Sequence, residues 1–429
     1  MEYIFILIFA EIAFFERKRV KFLLNPLTIF LLEWSVILIF SKLHLYKLEI
    51  VKSTTYITFI AGIISYIVGY YLLYYFKQKC KFQWTLRKKS FVIRYKLINA
   101  LGIICFIYYL FYLVIVAKSL SSFNLWAVQQ YLRDNEEIIS NPWIRALESF
   151  IFGPVSFAIP IIGASDIWFG EKNKKLLLIT MSMLIVQTLA TASRMTLLLF
   201  IIYVALIGIY KLKAINLLTI RRQKKKIRKW MYCVCVIGIL AFIVMSLSRG
   251  LSLFKSFYLQ ISIPPLMYEK WKEEVDAMKL YGFSEASLNG FFFPIFYIFQ
   301  KVMGFKQLPS NMQLVYDLIN LTDSQWIMVG TNIPANAYVS IFWFLYTDAR
   351  YLGIVLGMFL FGIYCANSYL KLKKDINCKT VSLYCVCIVA VLFTLVRMQF
   401  ARAKFCLAIA FIQLVAFHSF KTRKITQII

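Results

Sequence analysis

The chain of 429 residues is 61% hydrophobic and 17% aromatic, with a mean hydropathy of +0.71, which excludes an ordinary water-soluble globular domain. Its formal net charge of +29 does not describe a nucleic-acid surface, because the lysines and arginines gather in short runs between apolar segments. With two histidines in the chain, a histidine-built metal site is not expected, and the nine cysteines all fall in predicted spans or on the side assigned below to the cytoplasm, where no disulfide is needed.

A helix needs ~20 apolar residues to cross ~30 Å of hydrocarbon. The first run, near 1–15, is followed by Arg17, Lys18, Arg19 and Lys21. A signal peptide carries its positive charge before the apolar stretch, so this run reads as a retained span entering from outside. Further runs lie near 23–40, 55–76, 97–117, 149–169, 176–191, 195–210, 231–247, 352–370, 380–396 and 405–420. The expectation is a polytopic all-α membrane protein of about eleven spans, folded as one membrane domain over 1–429 with no internal repeat. The stretch from Leu176 to Tyr210 would be roughly 50 Å long as one helix, so a hairpin turning at Thr191, Ala192, Ser193 and Arg194 is expected.

The basic runs Arg17 to Lys21, Lys77 to Lys96, Lys172 to Lys175, Lys211 to Lys229, Lys371 to Lys379 and Lys421 to Lys424 fall on one side of this map. The positive-inside rule makes that side cytoplasmic. The amino terminus is then extracytoplasmic, the carboxyl terminus cytoplasmic, and one large extracytoplasmic loop lies at about 247–336. Within the loop, Phe291 to Phe299 is apolar, interrupted by Pro294 and too short to cross, and reads as interfacial or re-entrant. Ala337 to Tyr346 is placed at the outer boundary, leading into the span that begins near Leu352.

Against this map Arg194, Arg249, Arg350, Arg397, Arg402 and Lys404 lie on the wrong side. A mid-membrane arginine costs on the order of 2.5 kcal/mol or more, so a group of them at one face points to an anionic ligand, for which the guanidinium fork suits phosphate oxygens. Each arginine by itself fits equally well as a headgroup anchor. Most outer carboxylates, Asp323 among them, read as solvated. Asp348, between an aromatic stretch and a span, fits a general base or the N-cap of the next helix. Glu11 and Glu33 lie within spans and are expected to face protein or partner groups. The loop aromatics, Tyr258 included, fit sugar binding or packing against the membrane.

Several of these segments resemble the oligosaccharide repeat-unit polymerases of bacterial surface polysaccharide synthesis, the O-antigen polymerases. Thr191-Ala-Ser-Arg194-Met-Thr-Leu-Leu-Leu looks like that family's Ser-Arg turn. Ser248-Arg249, Tyr258 and Pro264-Pro265 are similar to the start of its large outer loop. Asn336-Ala-Tyr338, Tyr346-Thr-Asp348, Leu352-Gly353 and Gly357 look like its return to the membrane, with one departure at Arg350, where the pattern has glycine close after the aspartate. The layout covers nearly the whole chain, on short motifs.

The resemblance implies a helical fold of the GT-C-like type, similar to the O-antigen ligases. It implies a lipid-linked glycosyltransferase in the bacterial cytoplasmic (inner) membrane that moves a growing glycan from undecaprenyl diphosphate onto an incoming lipid-linked repeat unit. Arg249 and Asp348 would be catalytic, and Arg194, Arg397, Arg402, Lys404, Tyr258, Asn336 and Tyr338 would bind substrate. No cofactor, metal or nucleic acid is expected; the partners are lipid-linked glycans, membrane lipid, a chain-length regulator and a flippase. An O-antigen ligase is the nearest rival, although residues 247–336 lack the histidine that ligases carry there. A flippase or other carrier would show related halves and mid-membrane substrate groups, and a non-catalytic scaffold stays open.

Overall fold

Among the described residues of the computed structural model, six helices are long and apolar enough to cross a membrane, and the fold is all-α apart from two small two-stranded sheets. The structure describes residues 2–20, 24–79, 89–120, 128, 141–215, 253–304 and 307–421. The expected span near 231–247 lies outside them, as does Arg249. The chain divides into two compact units, Met1–Trp84 with Ser252–Lys374 and Cys387–Cys406, and Thr85–Leu251 with Asp375–Val386 and Leu407–Ile429.

The first unit opens with an antiparallel pair, α1 (Glu2–Val20) and α2 (Pro26–Lys42). Asn25 caps α2 by accepting the Leu27 N–H at 3.0 Å, with Pro26 at the first helical position, both suited to a helix start. Helix α1 buries Ile6, Phe9, Ala13 and Glu16 along one face. The buried glutamate of α1 is therefore Glu16, and Glu11, expected to face protein, is exposed because it lies off that stripe. Glu16 is fully engaged, accepting from Arg19 Nε and NH2 at 2.8 Å each, from Asn25 Nδ2 at 2.9 Å and from Tyr71 OH at 3.0 Å.

Helix α3 (Ser53–Lys79) follows. The chain from residue 253 onward contributes α9 (Leu253–Ser262), α10 (Pro264–Ala277), α11 (Asn289–Met303), α12 (Ser310–Ser324) and the ladder of β2 (Ile327–Met328) with β3 (Pro334–Ala335), before α13 (Ser340–Lys374). Helices α3 and α13 run side by side in the same direction. A Cβ on Gly69 would stand 2.1 Å from the Phe359 carbonyl oxygen, and one on Gly362 2.3 Å from that of Tyr66. Only glycine permits the two backbones to come this close, as small residues do between membrane helices. Helix α10 seats on α3 through Glu269, which accepts the Lys52 N–H and the Thr55 hydroxyl at 3.0 Å each. The neighbouring Lys52 ammonium, 2.8 Å from Glu273, holds that carboxyl below the usual range.

Helix α11, over the apolar run 291–299, is too short to cross. One of its faces stacks Phe293 on Tyr316 of α12 at 4.6 Å, while Phe291, Ile295, Ile298, Phe299 and Val302 stay exposed at helical spacing. Helix α13 contains a break at Ala349–Arg350, so the outer-boundary stretch and the following span are two segments of one element.

The second unit holds α4 (Tyr95–Lys118), α5 (Pro142–Leu147), which continues through a π turn at Glu148–Phe152 into α6 (Gly153–Phe169), α7 (Lys174–Thr191) and α8 (Arg194–Ile215). The hairpin between α7 and α8 turns where expected, with Ala192 in the left-handed region at φ 47°. Asp166 ties the start of this unit, accepting Tyr95 OH at 2.6 Å and the Asn173 N–H at 2.7 Å. The last two expected spans are shorter than read. Helix α14 (Cys378–Leu392) stops before residue 396, and α15 (Ala403–Ala410) ends in a π turn at Phe411–Val415. The chain then forms β4 (Phe417–Lys421), antiparallel to β1 (Lys89–Ile93), so non-local pairing overrides the apolar character of 417–420.

Candidate functional site

The ten residues between α14 and α15, 393–402, form an irregular turn within the first unit. No proline or glycine interrupts the sequence here, so the helix ends for another reason. The Thr394 carbonyl accepts the Ile341 N–H at 2.7 Å, and the Val396 carbonyl accepts the Ser340 N–H at 3.1 Å. Those donors belong to the first turn of α13 and have no intrahelical acceptor. Turn and helix start thus satisfy each other's unpaired backbone groups. The Trp34 Nε1–H donates to Thr394 Oγ1 at 3.0 Å and fixes the turn to α2.

Three residues further on, Arg397 is 3% exposed and ion-paired with Asp323, its NH1 donating to Asp323 Oδ2 at 2.8 Å. Arg402 reaches the same oxygen through NH2 at 3.5 Å. Two guanidinium groups therefore converge on one carboxylate. Asp323 is placed by the end of α12, where the Asn336 side chain donates to the Asp323 carbonyl at 2.6 Å and the Ala337 N–H to that of Thr322 at 2.8 Å. Gly290, at the start of α11, rests on the same turn; a Cβ there would stand 2.4 Å from the Arg402 carbonyl carbon.

Glu33 meets the Leu395 backbone of the turn, while Ser340 Oγ and Arg397 Nε have no hydrogen-bond partner among the described residues. Among the described residues no group of three or more His, Cys, Asp or Glu side chains could hold a metal.

Of the residues singled out in the sequence, Arg397, Arg402 and Asn336 come together at Asp323; Tyr338 lies two residues beyond Asn336 and donates its N–H to the Asn336 carbonyl at 2.9 Å, and Lys404 lies two residues beyond Arg402, in α15. Arg194 begins α8 in the other unit. Tyr258 is packed away from the turn, donating to the Phe40 carbonyl at 2.9 Å and accepting the Leu45 N–H at 2.8 Å. Asp348 accepts the N–H groups of Ala286 and Ser287 at 2.9 and 3.1 Å, so its carboxylate holds the 282–288 loop rather than capping the next helix. Asp323 is the member of the cluster that sequence reasoning leaves among the solvated carboxylates.

No protein-family model, curated protein or solved structure matches the chain.

Proposed function

We propose that the protein is a repeat-unit polymerase: a multi-pass glycosyltransferase of the bacterial cytoplasmic membrane that transfers a growing glycan from undecaprenyl diphosphate onto an incoming lipid-linked unit at the outer face. The observation that carries this reading is the buried Arg397 with Arg402 on an irregular turn. The leaving group of such a transfer is a diphosphate, whose developing charge calls for preorganised cations, and guanidinium groups supply them without a metal. Asn336, Tyr338 and Lys404 line the same neighbourhood. Arg194 and Arg249 remain part of the proposal on sequence grounds.

The depth of the turn supports a membrane site. Helix α14 has 15 residues and its return arm is Ala403–Val415, so each arm is about 20 Å long, less than the ~30 Å of hydrocarbon. In a membrane the turn would lie below the surface, where irregular backbone is tolerated only inside protein or against a polar cavity. Polarity of the first unit supports the orientation: Arg19 sits over the Tyr74 ring at 4.4 Å, and Lys77 donates to Asn367 at 2.6 Å. These contacts collect the basic ends of α1, α3 and α13 at one end, which the positive-inside rule makes cytoplasmic. The lipid tail needs an apolar surface beside the turn, and the exposed stripe of α11 supplies one.

A ligase shares the donor chemistry, and loss of a flippase would leave repeat units stranded inside, so a deletion strain separates the classes. Loss of a polymerase leaves a surface glycan of one repeat unit; loss of a ligase leaves unattached polymer. Complementation with the wild-type chain restores the ladder, whereas Arg397→Ala lowers polymer output by about 10²-fold or more, the scale for removing one transition-state charge donor. An unchanged glycan profile in the deletion strain, or a full ladder with Arg397→Ala at normal protein level, overturns the reading.

A further inference from the structure

Asp323 is an anion in a poor place for one. It is the penultimate residue of α12, where unpaired carbonyls already concentrate negative potential. What holds its carboxylate there is the pair of cations, Arg397 and Arg402. Two positive charges face one negative charge, and the buried Nε of Arg397 is left without a partner. The Asp323 side chain is 37% exposed and that of Arg402 51%, so the pair can be approached from outside while Arg397 stays enclosed.

An anion that takes this site must displace the carboxylate. A diphosphate brings more charge and more acceptor oxygens than a carboxylate and can engage both guanidinium groups together. We propose that Asp323 is an internal counter-anion that occupies the Arg397 and Arg402 pair until a diphosphate displaces it, and so lowers the affinity of the pair for anions, an inference that rests on the diphosphate-binding reading above. When the diphosphate leaves, the carboxylate returns, and the buried guanidinium is spared the cost of an unpaired charge.

The test uses the full-length protein purified into phosphatidylcholine nanodiscs and titrated calorimetrically with inorganic pyrophosphate and with inorganic phosphate. The wild type should bind pyrophosphate more tightly by about tenfold or more. Asp323→Asn should tighten pyrophosphate and phosphate alike, by about tenfold or more each, because both displace the same carboxylate, while Asp323→Glu keeps the wild-type affinities. An unchanged pyrophosphate affinity in Asp323→Asn overturns the counter-anion and leaves the diphosphate site standing. Absence of pyrophosphate binding in wild type and variant alike overturns both. Should Asp323→Asn fail to fold, carbodiimide labelling of Asp323 in the wild type reads the same displacement by mass spectrometry. Labelling should rise with pyrophosphate, and flat or falling labelling overturns the proposal.

Discussion

Asp348 and Arg350 lie side by side and hold the same corner of the first unit from opposite directions. Asp348 accepts two backbone N–H groups of the 282–288 loop, and the Gly282 N–H returns a bond to the Thr347 carbonyl at 2.9 Å. Arg350 stands at φ 54° and ψ −140°, a region that suits glycine and costs another residue about 1–3 kcal/mol. Its side chain offsets that strain by pairing with Asp276 at 3.1 Å, donating to the Val275 carbonyl at 3.3 Å and lying over the Tyr281 ring at 4.7 Å. A carboxylate whose oxygens are taken by amides is poorly placed to accept a substrate proton, so Asp348 acts here as a positioning residue. Bonds to a charged acceptor are worth ~1.5–3 kcal/mol each. Asp348→Ala should therefore lose at least about 2 kcal/mol of stability in a denaturation series. Asp348→Asn should keep the pH profile of the transfer reaction and a rate within about tenfold of wild type, where loss of a general base costs about 10²–10⁴. A rate loss on that scale with unchanged stability would restore the base.

At the level of elements, the seam between α3 and α13 is what sets the first unit, because it fixes the start of α13 and with it the N–H donors that break α14. Phe342, which stacks on Phe59 at 4.4 Å and meets Trp34 edge-on at 4.8 Å, lies one turn inside that start. Gly69→Ala places a methyl group against backbone that cannot move aside, an overpacking worth about 1–3 kcal/mol. The thermal midpoint of the purified protein should fall accordingly, while Ala61→Leu, on the exposed face of α3, should leave it in place; equal midpoints for Gly69→Ala and wild type would mean the helices can separate at no cost. Elements set by local pattern are legible in the sequence: the α7–α8 hairpin follows from an apolar run too long for one helix, and the shortness of α11 from an apolar run that stops at Gln300 and Lys301, with the helix closing just beyond at Gly304. The end of α14 is not legible, since hydropathy continues through residue 396 and the break depends on N–H groups over fifty residues earlier. For the same reason nothing near Asp323 marks it, because its partners come 74 and 79 residues later. The β1–β4 ladder likewise joins segments at opposite ends of the second unit's sequence.

For the whole molecule, every functional statement depends on which end of the first unit faces out. One end carries Arg17, Lys18 and Arg19 of α1, Lys77 of α3 and Lys371, Lys373 and Lys374 of α13. The other carries Glu269, Glu273 and Asp276 of α10, with Glu2 paired to Lys42. In the second unit, the register Lys89 to Lys421 brings two basic segments to one place, as expected of loops on one side of a bilayer. Since the asymmetry in lysine and arginine orients a membrane chain, the first end should be cytoplasmic. Cysteine labelling on intact cells checks this, in a background with the native cysteines replaced by serine. Glu273→Cys, an exposed side chain of α10, should react with a membrane-impermeant maleimide without permeabilisation, and Lys374→Cys only after it. The reverse pattern would place the mouth of the Arg397 turn toward the cytosol, where a lipid-linked glycan already exported to the outer leaflet cannot reach it. Polymerase and ligase would then fall together, and a cytosolic diphosphate-lipid carrier would become the reading that the same arginines favour.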